Sequence, residues 1–187
     1  GFTSISESLK ANPETLTAVI NTLLTDLTED ILECGGTIDK YMGDCIMAFW
    51  NAPIDNELHA DNATKAAIKM MKTIEKINQK VEIAQGKNFN LRIGIGIATG
   101  ECVVGNMGST QRFDYTVLGD VVNLSSRLEG QTKSYGITTV VTNISAEKSL
   151  QKENLVEIDS IKVKGKVDAE VVFALLEGPL SKNERKA

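Results

Sequence analysis

The sequence is poor in the residues that build metal clusters. Its 187 residues include three cysteines (Cys34, Cys45, Cys102) and a single histidine, His59. No C-x-x-C pair occurs, which argues against a structural zinc site. An odd number of cysteines in apolar or small-residue surroundings predicts reduced thiols in or near the core, in a reducing compartment. Positive charge is also scarce. Twenty Lys and Arg face 25 Asp and Glu, a formal net charge of −5. A nucleic-acid polymer usually calls for a basic face, so that partner is disfavoured, whereas a small phosphorylated ligand needs only a few local cations. No run approaches the ~18 apolar residues of a membrane helix, and no charged-then-apolar leader is visible. Internal repeats and low-complexity linkers are absent too. The chain opens on Gly1-Phe2-Thr3 without an initiator methionine and reads as a fragment of something longer. Residues 181–187 are polar and charged, a tail expected to fray.

What is present suffices for one well-buried domain, expected over residues 1–180, with 42% hydrophobic content. Asn12-Pro13 looks like a cap and first turn, followed by Leu16, Ile20, Leu23, Leu24, Leu27 and Ile31 at helical spacing. Gly35-Gly36 should stop that helix. A hairpin follows around Lys40 to Asp44, and Pro53 ends its second arm. A long helix is expected from about Asp55 to Ala84. Leu91 to Ala98 alternates large and small residues, the pattern of a strand whose small-residue face has a close neighbour, a helix or a ligand. Its GxG lies inside that strand, with no helix starting there, and is no dinucleotide fingerprint. Cys102 to Val104 and Phe113 to Leu118 read as strands, Val121 to Gly130 as a helix and Ile137 to Val141 as a strand. Lys162–Lys166 and Val171–Leu175 read as a closing hairpin. Strands and helices interspersed with short hairpins predict an antiparallel-rich α+β sandwich, with helices packed on one face.

Three groups of residues could carry chemistry. In GTIDKYMGDCIMAFW, residues 36–50, two opposite charges, Lys40 and Asp44, sit at the turn of a hairpin whose arms are apolar. A solvated turn explains Asp44, and so does a metal ligand. A magnesium ion usually takes one or two carboxylates and completes its shell with substrate phosphates, so a second acidic group would be required. In VVNLSSRLE, Asn123 and Arg127 are four apart on a predicted helix and share a face. They form either an exposed polar stripe or an amide beside a forked cation, suited to a ribose and a phosphoryl group. Lys164-Gly165-Lys166 is either a solvated pair or a loop able to approach a polyphosphate. His59, at a helix start, reads as an ordinary surface residue.

GFT at 1–3, DKYMGDCIMAF at 39–49, LRIGIGIATGECVVGNMGS at 91–109, YTVLGDVVNLSSRLE at 115–129 and KVKGK at 162–166 occur in this order. Together they resemble the catalytic domain of class III nucleotidyl cyclases over nearly the whole chain. The resemblance implies a ferredoxin-like α+β fold, an antiparallel-rich sheet with helices packed on it, here without its first strand. It implies a head-to-tail homodimer with active sites between subunits, and two divalent ions per site, Mg2+ or Mn2+. Asp44 looks like one of two metal aspartates; the family's other one lies two residues before GFT, upstream of Gly1, so the sequence as given is expected to be inactive or severely impaired without it. Backbone around Phe2 and Thr3 would cradle the terminal phosphates, and Lys166 would bind the β- and γ-phosphates. Lys40 and Thr116 would read the base, Asn123 would orient the ribose and Arg127 would stabilise charge at the α-phosphate. Arg112 is a further candidate phosphate contact. A cytoplasmic location is implied, with regulatory or membrane domains fused outside the sequence given.

The implied reaction is conversion of ATP to 3′,5′-cyclic AMP and pyrophosphate. Hydrogen-bond chemistry favours adenine over guanine. Adenine N1 accepts, and a lysine only donates; guanine N1 carries a proton and would meet Lys40 donor to donor. Guanylate cyclases of the family place a glutamate there. The competing readings are a guanylate cyclase and a non-catalytic nucleotide-binding or dimerisation module. Asp44, Asn123 and Arg127 are all present, which favours an enzyme.

Overall fold

Pro13 and two glycines bracket the first helix. Pro13 opens α1 (Pro13–Glu33), and Gly35 closes it with φ of 71°. The Gly35 N–H bonds the Leu32 carbonyl at 2.9 Å and the Gly36 N–H bonds the Ile31 carbonyl at 3.0 Å. A left-handed glycine satisfies the last carbonyls of a helix in this way. The indole of Trp50 fills the space above Gly36, where a Cβ would come within 2.8 Å of the ring, and its Nε1–H donates to the Cys34 carbonyl at 2.9 Å. This computed structural model describes residues 13–85, 90–162 and 169–179. The expected Asn12 cap and the 181–187 tail lie outside them.

β1 (Thr37–Met42) and β2 (Cys45–Phe49) pair antiparallel around a two-residue turn, Gly43-Asp44. Gly43 has φ of 65°, which glycine adopts without strain at the first central position of a tight hairpin turn. The register slips between Ile38 and Lys40, so Asp39 is an extra, bulged residue. α2 (His59–Gln85) starts later than Asp55. The Asn51 side-chain oxygen accepts the Asn56 N–H at 2.5 Å and that of Asn56 accepts the Leu58 N–H at 2.9 Å. Such local side-chain bonds offer loop amides an alternative to helix.

β3 is only Ile95–Ile97. Upstream, the Asn78 amide takes the place of a neighbouring strand: it accepts the Leu91 N–H at 2.8 Å and donates to the Leu91 carbonyl at 3.0 Å. The small-residue face of β3 is covered by α3 (Asp120–Tyr135); a Cβ on Gly96 would stand 2.0 Å from the Ser125 carbonyl oxygen. α3 runs through Gly130 and ends at Gly136, whose φ is 68°. β4 (Val103–Ser109) and β5 (Arg112–Leu118) form a seven-pair ribbon. Then follow β6 (Thr139–Thr142), α4 (Asn143–Lys148), β7 (Leu155–Lys162) and β8 (Ala169–Leu175). The closing hairpin's first arm therefore begins well before Lys162, and VEIDSIK carries that strand's alternation; residues 163–166 of the expected arm lie outside the described residues.

The main sheet has the order β3-β6-β8-β7, parallel between β3 and β6 and antiparallel elsewhere. Helices cover both of its faces, where the sequence had suggested one. Val140 and Val172 pack with Leu124 and Leu128 of α3, while Val141 and Leu175 pack with Ala63 and Ala67 of α2 and Ala146 of α4. β6 shows why: all four of its residues, Thr-Val-Val-Thr, are buried, as in a strand sandwiched between two layers. α1 and α2 share a separate cluster through Leu23, Leu27 and Ile74, with Leu91. Leu128 is fully buried, so Leu128→Ala is expected to cost about 2–5 kcal/mol, read as a lower denaturant midpoint.

The cysteines are not core residues. Cys45 and Cys102 are exposed, Cys34 is half-buried, and all three are free. Cys45 leaves the hairpin turn and Cys102 sits just before β4, which puts both at strand ends. Among the described residues no helix is long and apolar enough to cross a membrane.

Candidate active site

The β1–β2 hairpin and the β4–β5 ribbon meet at a buried carboxylate. The side chain of Asp39 is completely shielded from solvent. Its Oδ2 accepts the Thr116 hydroxyl proton at 2.5 Å and lies 3.3 Å from the Val117 N–H. Its Oδ1 has no aligned hydrogen bond, but the Lys40 ammonium stands 3.2 Å away as counter-charge. The bulge turns Asp39 inward while Lys40, the next residue, keeps 42% of its side chain exposed. Thr116 is itself buried, opposite Gly105 of β4. Two residues expected to act together, Lys40 and Thr116, are thus joined through a third, Asp39, which lies 77 positions from Thr116.

Asp39 lies within the hairpin motif DKYMGDCIMAF, where neither its spacing nor the family resemblance gives it a role. The signal that could have found it is a carboxylate directly before Lys40, in a strand whose flanks are destined for the interior. Such a group stays buried only if paired.

Asn123 and Arg127 lie one turn apart on α3, both exposed, while the buried Leu124 and Leu128, next to them in sequence, anchor the helix. Asp44 stands exposed at the hairpin tip. Among the described residues no hydrogen bond or ion pair joins Asp44 to Asn123 or Arg127. Arg112, at the tip of the β4–β5 ribbon, keeps 83% of its side chain exposed and faces Asp114 at 3.7 Å. Phe2, Thr3 and Lys166 lie outside the described residues. Among the described residues no three His, Cys, Asp or Glu side chains converge. A lone exposed carboxylate such as Asp44 fits an ion that completes its shell with phosphate oxygens and water.

A cavity of about 520 Å³ lies between β2, β3 and α3, lined by Phe49, Gly96, Thr99, Val117, Val122 and Ser125 among others. None of Lys40, Asp44, Thr116, Asn123 and Arg127 lines it. Cys45, beside the hairpin tip, is held above the usual thiol range by partial desolvation of its sulfur, although the residue as a whole is exposed, and by the negative charges of Glu129 and Asp44. His59 is pulled below its usual range by burial and by Lys148.

A family model for the adenylate and guanylate cyclase catalytic domain matches residues 1–177. An adenylate cyclase of Anabaena cylindrica is 39% identical over 181 residues, covering 92% of this chain and 34% of its own length. The chain thus spans about a third of that relative. Among solved structures, an adenylyl cyclase from P. aeruginosa superposes with a TM-score of 0.79 at 33% identity, covering 94% of this chain and 88% of its own. A guanylyl cyclase superposes with a TM-score of 0.78, also at 33% identity, covering 97% of this chain and 89% of its own.

Proposed function

The chain belongs to the adenylate and guanylate cyclase catalytic domain family, and from that premise we propose that it is an adenylate cyclase. It takes ATP to 3′,5′-cyclic AMP and pyrophosphate. The relatives include adenylyl and guanylyl cyclases of equal likeness, so the choice of base rests on this chain's own residues. One observation carries it: the Asp39 carboxylate holds Lys40 at 3.2 Å and Thr116 at 2.5 Å. Lys40 offers only donors and meets adenine N1, an acceptor; Thr116, its proton committed, accepts from the exocyclic amino group.

Asn123 fixes the ribose so that its 3′-hydroxyl faces the α-phosphorus. Arg127 carries the negative charge that develops there as the hydroxyl oxygen forms its bond and pyrophosphate leaves. The backbone around Phe2 and Thr3, with Lys166, holds the terminal phosphates. Asp44 supplies one carboxylate to the divalent ions, Mg2+ or Mn2+, which when bound lower the hydroxyl pKa and neutralise the leaving group. No side chain of this chain is assigned as a general base.

Active sites lie between two copies. Tyr41, Met42, Phe113, Tyr115 and Leu118 are exposed on the same two hairpins that carry Lys40 and Thr116. That much apolar surface on a monomer favours a partner. In a closed two-fold dimer each site then takes Lys40 and Thr116 from one chain and Asp44 from the other.

The test is turnover of ATP and GTP by protein extended upstream through the second metal aspartate, assayed separately in magnesium and in manganese. ATP-selective cyclic AMP production is expected; a GTP-selective protein would overturn the base assignment. Lys40→Glu should lower ATP turnover by about a hundredfold or more, because an acceptor then faces adenine N1.

A further inference from the structure

Two carboxylates of the described structure have fully shielded side chains, and they do different work. Asp61, in the first turn of α2, accepts the Leu150 N–H at 2.8 Å and the Gln151 side-chain amide at 3.2 Å, and pairs with Lys65 at 2.7 Å. Its partners tie a helix start to a loop. Asp39 gives its oxygens to two side chains, Thr116 and Lys40, the pair proposed to face the base, and also accepts the Val117 N–H at 3.3 Å.

The consequence lies in the direction of one proton. A threonine hydroxyl has one hydrogen to give and two lone pairs to receive with. Alone, it rotates and serves either a donor or an acceptor on the ligand. At 2.5 Å from an ionised oxygen, its hydrogen is committed to the carboxylate, because that group can only accept and such charge-assisted bonds are short and strong. Toward a ligand Thr116 is then an acceptor only. On the same carboxylate, the Lys40 ammonium is anchored from one side and keeps its other hydrogens for the ligand.

We propose that Asp39 is the positioning residue for purine specificity: its buried carboxylate takes the Thr116 hydroxyl proton and anchors Lys40. The pair then presents an acceptor beside a donor and selects a 6-amino purine over a 6-oxo purine. Adenine offers the matching edge, a donating amino group beside an accepting N1. Guanine offers an accepting O6 beside a donating N1–H and clashes at both positions. The bulge at Asp39 makes this arrangement reachable, since regular alternation would send neighbouring side chains to opposite faces. This inference rests on Lys40 and Thr116 being the base-contacting pair.

Asp39→Asn tests it in the full chain. The amide nearly preserves shape, yet it has one acceptor oxygen in place of two and no charge, so it cannot both take the Thr116 hydroxyl proton and anchor the Lys40 ammonium. The ratio of kcat/KM for ATP to that for GTP is expected to fall about tenfold or more. The ratio of Kd for 3′-deoxy-ATP and 3′-deoxy-GTP, which cannot cyclise, should fall in parallel and needs no turnover. A double-mutant cycle separates positioning from general damage: with Thr116→Val already in place, Asp39→Asn should change the ratio by less than about threefold. A purely structural role for Asp39 would lower Tm and both activities together and leave the ratio alone.

An ATP-selective wild type whose ratio survives Asp39→Asn within about twofold would overturn this inference and leave the base reading standing. A wild type that prefers GTP, or binds neither analogue, would overturn both. If Asp39→Asn fails to fold, Thr116→Ser and Thr116→Val carry the test with Asp39 intact. Serine offers Asp39 the same proton and should keep the ratio, valine should lose about tenfold, and equal ratios would overturn the inference.

Discussion

Asp44→Ala protein and Arg127→Ala protein, each nearly inactive alone, are expected to regain cyclase turnover when mixed. Each substitution removes a group whose charge matters most as the α-phosphate is displaced, and loss of one such preorganised group costs about 10²–10³ in turnover. Asp44 sits at a hairpin tip and Arg127 on the exposed side of α3, with no bond between them in one chain. If a site takes Asp44 from one chain and Arg127 from its partner, a mixed dimer has one site with both residues intact and one with neither. Random exchange of equal amounts makes half the dimers mixed, so activity should return to about a quarter of wild type in a symmetric two-site dimer. The assay is cyclic AMP production after co-refolding or co-expression of two differently tagged variants. Co-purification of the tags without recovered activity would sink the shared site while leaving dimerisation in place. Full activity of Asp44→Ala alone would remove its metal role.

Gly96→Val is expected to unfold the chain or leave it insoluble. The Cβ it adds would stand 2.0 Å from the Ser125 carbonyl oxygen, 2.5 Å from the Glu129 nitrogen and 3.1 Å from the Leu128 Cβ. Two of these are backbone atoms of α3, so no rotamer change can make room. The helix must move off the sheet, opening the cluster of Leu124, Leu128, Val140 and Val172. Overpacking that side chains can absorb costs about 1–3 kcal/mol, and moving a helix costs more, against a total stability of about 5–15 kcal/mol. α3 also carries Asn123 and Arg127, so any surviving protein should lose turnover as well. Circular dichroism during thermal unfolding reads the first effect. A Gly96→Val protein with wild-type Tm would show that β3 and α3 do not touch as described.

How much was legible in the sequence depended on how local the cause was. The helix stop at Gly35-Gly36, the existence of a hairpin over Lys40 to Asp44 and the helical spacing of Asn123 and Arg127 are set by residues a few positions apart. Backbone dihedral preferences and side-chain periodicity act over that range, and these expectations match the structure, except that the turn is tighter than expected: it is Gly43-Asp44 alone, and Lys40 lies within β1. Boundaries failed where a side chain intervened: Asn51 and Asn56 delay α2, and Asn78 stands in for a strand beside Leu91. Burial of the thiols was misjudged because apolar neighbours in sequence do not reveal that Cys45 and Cys102 sit at strand ends.

Sequence alone determined the chemistry on offer: an amide and a guanidinium on one helix face, a carboxylate and a lysine in one hairpin, and a small-residue strand needing a close neighbour. Its motifs determined the family as well. Tertiary structure decided what occupies that neighbour position, a helix, and which faces of the sheet the helices cover. It also decided that Asp39 joins Lys40 to Thr116. That last link depends on one bulged residue turning inward to meet a strand 77 positions away. No periodicity encodes such a meeting, because the pairing of non-local strands is chosen by the packing of the whole domain.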